Sequence, residues 1–188
     1  MKIKIGVSNR HVHLNENDFK KIFNDDVEMK KLRNLTQLDD YASNLTVTLK
    51  TTKSTIDNVR VVGPLRNYTQ VEISRTDAYK LGLNPPIRES GDVEGSEDIT
   101  IIGNNEVNVQ SCCIIATRHI HATKKDLEKY KLDPNKKYRV QVFGEKGGIL
   151  DNVSIKVSDG YSFEFHIDTD DANAHMLVNG SEGFIIDE

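Results

Sequence analysis

Short runs of alternating apolar and polar residues fill most of this chain. KIKIGVSN (2–9), NLTVTLKT (44–51), EDITIIG (97–103) and KYRVQVFG (137–144) repeat with a period near two, which predicts strands. SCCIIAT (111–117) reads as a further strand. Helix signals are few and short. LNENDFKKIF (14–23) offers Asn15 as an N-cap, and ATKKDLEKY (122–130) offers Thr123, each with an Asp three residues on. RTDAYKLG (75–82) predicts a helix capped by Thr76 and stopped by Gly82 before Pro85 and Pro86, and DTDDANAHM (168–176) one capped by Asp168 or Thr169. Many short strands with few helices predict a mainly β fold of barrels rather than a βαβ sheet.

The pattern is written twice. RHVH (10–13) and RHIH (118–121) each follow a predicted strand, and they hold four of the six histidines. Residues 56–78 align without gaps to residues 150–172, sharing Asp57/Asp151, Asn58/Asn152, Val59/Val153, Ile73/Ile167, Asp77/Asp171 and Ala78/Ala172. These matches follow the H-x-H copies in the same order, so duplication is the better reading. Two β-barrel halves are expected, 1–93 and 94–188, capped by short helices and joined by the Gly- and acid-rich ESGDVEGSED (89–98). Whether the halves exchange strands stays open.

Both histidines of an H-x-H lie on one strand face, with roots roughly 6–7 Å apart, close enough to share a metal ion. The ungapped match places Glu72 opposite His166, each on the face of its strand that points away from the core. Two candidate metal sets result, His11/His13/Glu72 and His119/His121/His166. Three nitrogen or carboxylate ligands suit a catalytic zinc with an open position, although Fe²⁺, Mn²⁺ and Co²⁺ accept the same donors. His175 fits neither set. Arg66, just past the Gly63-Pro64 turn, is a candidate oxyanion or phosphate clamp, with Arg88 a second. Arg10 and Arg118 precede the histidine pairs on the opposite face and read as ion-pair partners.

Composition narrows the class. The chain has 188 residues, 29 Asp and Glu against 25 Lys and Arg, a net charge of −4 and no basic run, which argues against a nucleic-acid partner. No apolar stretch reaches the length of a membrane span. The N-terminus enters a strand at once, so no leader is expected. The two cysteines, Cys112 and Cys113, are adjacent in an apolar run, which suits a reducing compartment and no disulfide. Cys113 has the strand parity of His119 and His121 but lies far upstream, and no G-x-S-x-G elbow presents a serine. No covalent intermediate on a cysteine or serine is expected.

VSNRHVHL, VRVVGPLRNYTQVEISRTDAYKLG, PPIRESGD, IIATRHIH and the DNV…HIDTDDANA stretch resemble the PduL-type phosphotransacylases, the phosphate propanoyltransferase family. The resemblance runs from about residue 5 to 175. It implies two β-barrels, two zinc ions and direct transfer of a short acyl group, propanoyl or acetyl, between coenzyme A and inorganic phosphate. By the same resemblance His11, His13 and Glu72 match the ligands of one zinc, and His119, His121 and His166 those of the other. Arg66 matches the phosphate-binding arginine of the G-P-x-R motif. Members in bacterial microcompartments carry an N-terminal encapsulation extension that this sequence lacks, so a cytoplasmic enzyme is expected; a homo-oligomer is left open. The alternative is a dinuclear metal-dependent hydrolase, for which each set is too self-contained. A metal-binding barrel like the cupins would carry a Glu four or five residues after the H-x-H; those positions here are Asn17 and Asp18, and Lys125 and Asp126, so that match fails.

Overall fold

The computed structural model describes residues 1–37 and 40–186. In chain order its elements begin with β1 (Lys2–Ser8), β2 (His11–His13), α1 (Glu16–Ile22), β3 (Lys31–Asn34), β4 (Tyr41–Lys50), β5 (Thr55–Gly63), β6 (Gln70–Glu72), α2 (Arg75–Leu81), β7 (Ile87–Arg88) and β8 (Glu97–Ile102). They continue with β9 (Glu106–Ala116), β10 (His119–Ala122), α3 (Lys124–Tyr130), β11 (Tyr138–Val142), β12 (Gly148–Val157), β13 (Glu164–Asp168), α4 (Thr169–Ala174) and β14 (Glu182–Ile186). The fold is mainly β with short helices, as expected. Among the described residues no helix is long and apolar enough to cross a membrane.

Two compact units form. The first holds Arg10–Leu35 and Asp40–Ala116; the second holds Met1–Asn9, Thr36 and Gln37, and the described residues from Thr117 to Ile186. In the first unit the strands close in the order β2-β6-β9-β8-β4-β5, with β3 and β7 added at the sides. In the second they close as β10-β13-β1-β14-β11-β12. The two rings match step for step. Each H-x-H strand lies antiparallel to the third-ligand strand on one side and parallel to a longer strand on the other.

The units are therefore not the consecutive stretches 1–93 and 94–188. β1, which leads into the first H-x-H, sits in the second unit, and β9, which leads into the second H-x-H, sits in the first. Connection length explains why. Only Asn9 and Arg10 separate β1 from β2, and only Thr117 and Arg118 separate β9 from β10. A leading strand in its own ring would lie beyond β6 or β13, about 9.5 Å from the H-x-H strand and running the opposite way. A two-residue loop joins only adjacent antiparallel strands. The stretch 89–98 is correspondingly no boundary: it runs from β7 to β8 inside the first unit.

The residues shared by the two repeats now have physical reasons. Asn58 and Asn152 both adopt positive φ, 58° and 61°, within β5 and β12. At each, the strand inserts one extra residue against its partner: Val47 and Leu49 face Val59 and Ile56, and Tyr138 and Val140 face Val153 and Leu150. Asn tolerates this bulge better than most residues. Val59, Val153, Ile73, Ile167, Ala78 and Ala172 are buried in the two cores. Asp77 takes Arg10 at 2.9 Å and Asp171 takes Arg118 at 2.6 Å, tying the start of each H-x-H strand to the helix after the third ligand.

Three helix caps fall where expected, at Asn15, Thr123 and Asp168. The cap of α2 is Ser74 rather than Thr76, because Asp77 at the third helical position completes a capping box with Ser74. Gly82 closes that helix with a left-handed conformation.

Asn152→Val should destabilise the protein by about 1–2 kcal/mol, the cost of a left-handed residue with a branched side chain, whereas Asn152→Gly should be close to neutral. Urea unfolding of the two variants checks this, and equal losses for both would point instead to lost Asn side-chain contacts.

Candidate metal centres

Each unit builds the same patch of four side chains from two antiparallel strands. In the first, His11 stands opposite Glu72 and His13 opposite Gln70; in the second, His119 stands opposite His166 and His121 opposite Glu164. Residues two apart share a face, so all four of each patch look the same way. The alternate positions, Val12 with Val71 and Ile120 with Phe165, are fully buried and fix that face.

The ligand atoms of His11, His13 and Glu72 lie within 4.8 Å of one another, and so do those of His119, His121 and His166. Both sets expected from the sequence are thus brought together, each wholly inside one unit. His11 Nε2 is 3.6 Å from Glu72 Oε2. The ring centroids of His119, His121 and His166 are 4.4–5.5 Å apart. Burial, with the neighbouring Lys156 and imidazoles, holds His119 well below the usual histidine range. Burial, then His166 and Lys156, pushes His121 down to about 2. These rings are neutral at physiological pH, the form that ligates metal. His119 Nδ1 donates to the Thr117 carbonyl at 2.7 Å, which leaves Nε2 as its lone-pair nitrogen. His121 Nδ1 is buried without a hydrogen-bond partner, a costly state that a bound ion would relieve. The donor set, the neutrality of His119 and His121, and this orphaned nitrogen fit a divalent transition metal.

Arg66 belongs to the first unit. Its Nη2 donates to both carboxylate oxygens of Asp40 at 3.1 Å, and its Nη1 donates to the Tyr68 hydroxyl at 3.1 Å and the Ser90 hydroxyl at 3.3 Å. Burial works against its charge, but Asp40 and Tyr68 outweigh it and raise the guanidinium pKa, so Arg66 stays cationic. Ser90 also accepts from Gln70 Nε2 at 2.8 Å, and the same nitrogen reaches Glu72 Oε1 at 2.6 Å. A continuous chain of polar contacts therefore runs from Arg66 to the carboxylate of the first set.

The remaining candidates make contacts of their own. Arg88 pairs with Asp92 at 3.5 Å and is partly exposed. His175 caps α4 and its Nδ1 lies 2.8 Å from the Lys146 carbonyl. Cys112 and Cys113 are buried in the first core, where desolvation pushes the Cys112 thiol up to about 12 and the Cys113 thiol higher still. The parity between Cys113 and the second histidines does not carry over, because the strand breaks after Ala116 and the chain passes into the other unit.

Sequence reasoning missed Gln70, Glu164 and Gln37. Gln70 and Glu164 were legible in principle, since they share the face of Glu72 and His166. Gln37 sits between strands where no periodicity speaks. Its amide oxygen accepts from Ser162 N at 3.0 Å and its Nε2 lies 3.3 Å from His166 Nε2.

Comparison with known proteins places this arrangement. The family described as phosphate propanoyltransferase matches residues 4–178. The chain is 46% identical over 187 residues to a phosphate propanoyltransferase of Thermotoga maritima, covering 98% of this chain and 89% of that one. It is 42% identical over 185 residues to one of Clostridioides difficile, covering 98% and 88%. For one of Priestia megaterium the identity is 41% over 184 residues, covering 97% and 85%. Likeness of this extent spans both units and both ligand sets, and the chain belongs to the phosphate propanoyltransferase family of acyltransferases.

Proposed function

We propose that this protein is a cytoplasmic enzyme that moves a propanoyl or acetyl group between coenzyme A and inorganic phosphate, with a zinc ion in each histidine set. The observation that carries the reading is the pair of matched patches, each with imidazole or carboxylate donors gathered within 4.8 Å, in a chain of this acyltransferase family. His11, His13 and Glu72 would hold one ion, and His119, His121 and His166 the other. A divalent ion in such a set supplies Lewis acidity, stabilising negative charge on a sulfur or phosphate oxygen.

The chain's own residues supply position and charge. Arg66 already holds an oxyanion, donating from Nη2 to both carboxylate oxygens of Asp40, and phosphate offers oxygens to the same guanidinium. Binding would exchange one oxyanion for another while Tyr68 and Ser90 keep the guanidinium in place. A phosphate oxygen then attacks the thioester carbonyl carbon, the carbon–sulfur bond breaks, and coenzyme A leaves as thiolate. Neither cysteine can intervene, because buried thiols with raised pKa values are poor nucleophiles. Positioning of two bound substrates therefore carries the reaction without an acyl-enzyme.

Elemental analysis of gently purified protein should give close to two zinc ions per chain, and His119→Ala should lower the ratio. Full activity in metal-free protein would sink the reading. Acyl phosphate should form from acyl-CoA only when phosphate is present. Phosphate-independent hydrolysis would favour a dinuclear hydrolase instead.

Arg66→Ala should cost about 1.5–3 kcal/mol in the phosphate-dependent step, roughly one to two decades in apparent KM for phosphate, with a smaller effect on acyl-CoA. Equal effects on both substrates would assign Arg66 a purely structural role. Initial rates with both substrates varied should give intersecting double-reciprocal lines; parallel lines would require a covalent intermediate.

A further inference from the structure

The two patches are built alike but place their negative charge differently. The repeat aligns Gln70 with Glu164 and Glu72 with His166. In the first patch the carboxylate is a candidate ligand, Glu72, and its neighbour two residues back is the neutral Gln70, joined to it at 2.6 Å. In the second the candidate ligand is an imidazole, His166, and the neighbour two residues back is Glu164, whose Oε2 lies 2.7 Å from His166 Nε2. Each patch thus keeps one carboxylate and one close contact between positions i and i+2, with the roles of the two positions exchanged.

Taking the metal-dependent reading above as premise, we propose that Glu164 is the positioning residue of the second set: its carboxylate accepts the Nε2–H of His166, fixes that ring's tautomer and orientation, and supplies there the charge that Glu72 supplies in the first.

The chemistry of the contact chooses the tautomer. A carboxylate is an acceptor only, so a 2.7 Å approach to an imidazole nitrogen calls for a proton on that nitrogen. The competing contact, Gln37 Nε2 at 3.3 Å, joins two nitrogens and is longer; that amide is oriented by the Ser162 backbone, which accepts from Nε2 at 3.5 Å and donates to Oε1 at 3.0 Å. With Nε2 protonated, Nδ1 of His166 carries the lone pair that a metal needs.

The second observation is the space made for the contact. Gly6 on β1 stands in register with His166, and a Cβ there would lie 2.8 Å from both Glu164 Oε2 and His166 Nε2. In the first unit the residue in register with Glu72 is Ile114, so the bare backbone belongs only to the patch with the His–Glu pair. A methyl group at residue 6 would force the pair apart without removing a ligand or a charge.

Zinc affinity of the second set can be read alone in a His11→Ala/Glu72→Ala background, by competition with a chromogenic chelator. Loss of an outer carboxylate from a ligating histidine lowers metal affinity by about 10- to 100-fold. Both Glu164→Gln and Gly6→Ala should fall in that range, and Glu164→Asp should recover part of the loss. Long-range ¹H–¹⁵N spectra of the metal-free protein should show His166 protonated at Nε2. Unchanged zinc affinity in both Glu164→Gln and Gly6→Ala, or a His166 protonated at Nδ1, would overturn the proposal while leaving the zinc reading intact. If the unaltered second set takes up no zinc, the premise fails and the proposal with it. Should Gly6→Ala not fold, as judged by circular dichroism, Glu164→Gln and the spectra decide.

Discussion

An antiparallel pairing three residues long lies at the centre of each unit, and the remaining structure holds it in register. In β2–β6 and in β10–β13, that register sets the first histidine opposite the third candidate ligand and the second opposite its polar neighbour. A slip of one residue would turn all four side chains into the core and bring Val12, Val71, Ile120 and Phe165 out of it. Burial of those four apolar residues therefore protects the site, although none touches a ligand atom's function directly. The Arg10–Asp77 and Arg118–Asp171 pairs add a second restraint by pinning the strand start to the following helix.

Closing each ring around that pairing demands a sixth strand, and the chain supplies it from the other repeat. The two-residue links Asn9–Arg10 and Thr117–Arg118 leave no alternative, because so short a link cannot carry the chain across an intervening strand. One consequence reaches the site: β1 brings Gly6 against His166 and Glu164, so a residue from the start of the chain shapes a patch whose other members lie beyond residue 117.

Duplication kept the scaffold and let the chemistry diverge. The bulge-forming asparagines, the core Val, Ile and Ala, and the paired Asp are the same in both copies, since each answers a backbone or packing need common to both rings. The candidate ligand positions differ, and so does the residue that stands where Arg66 does. Arg66 of the first repeat aligns with Gly160 of the second, so only the first patch has a guanidinium linked through Ser90 and Gln70 to its carboxylate.

Periodicity and repetition alone determined that strands dominate, that the architecture is duplicated, and that His11, His13 and Glu72, and likewise His119, His121 and His166, share a strand face. These are local properties, set by the two-residue repeat of a strand and readable wherever apolar and polar positions alternate. The same parity marked Gln70 and Glu164, but parity shows only which way a side chain points and not what it meets. Two features needed the tertiary structure. The exchange of β1 and β9 is visible only in the strands they pair with, β13 and β6. The arrival of Gln37 and Gly6 beside His166 depends on long-range placement of a loop and a strand. Local alternation fixes which face a residue occupies; which residues share a site is decided when the ring closes, because only closure brings distant faces together.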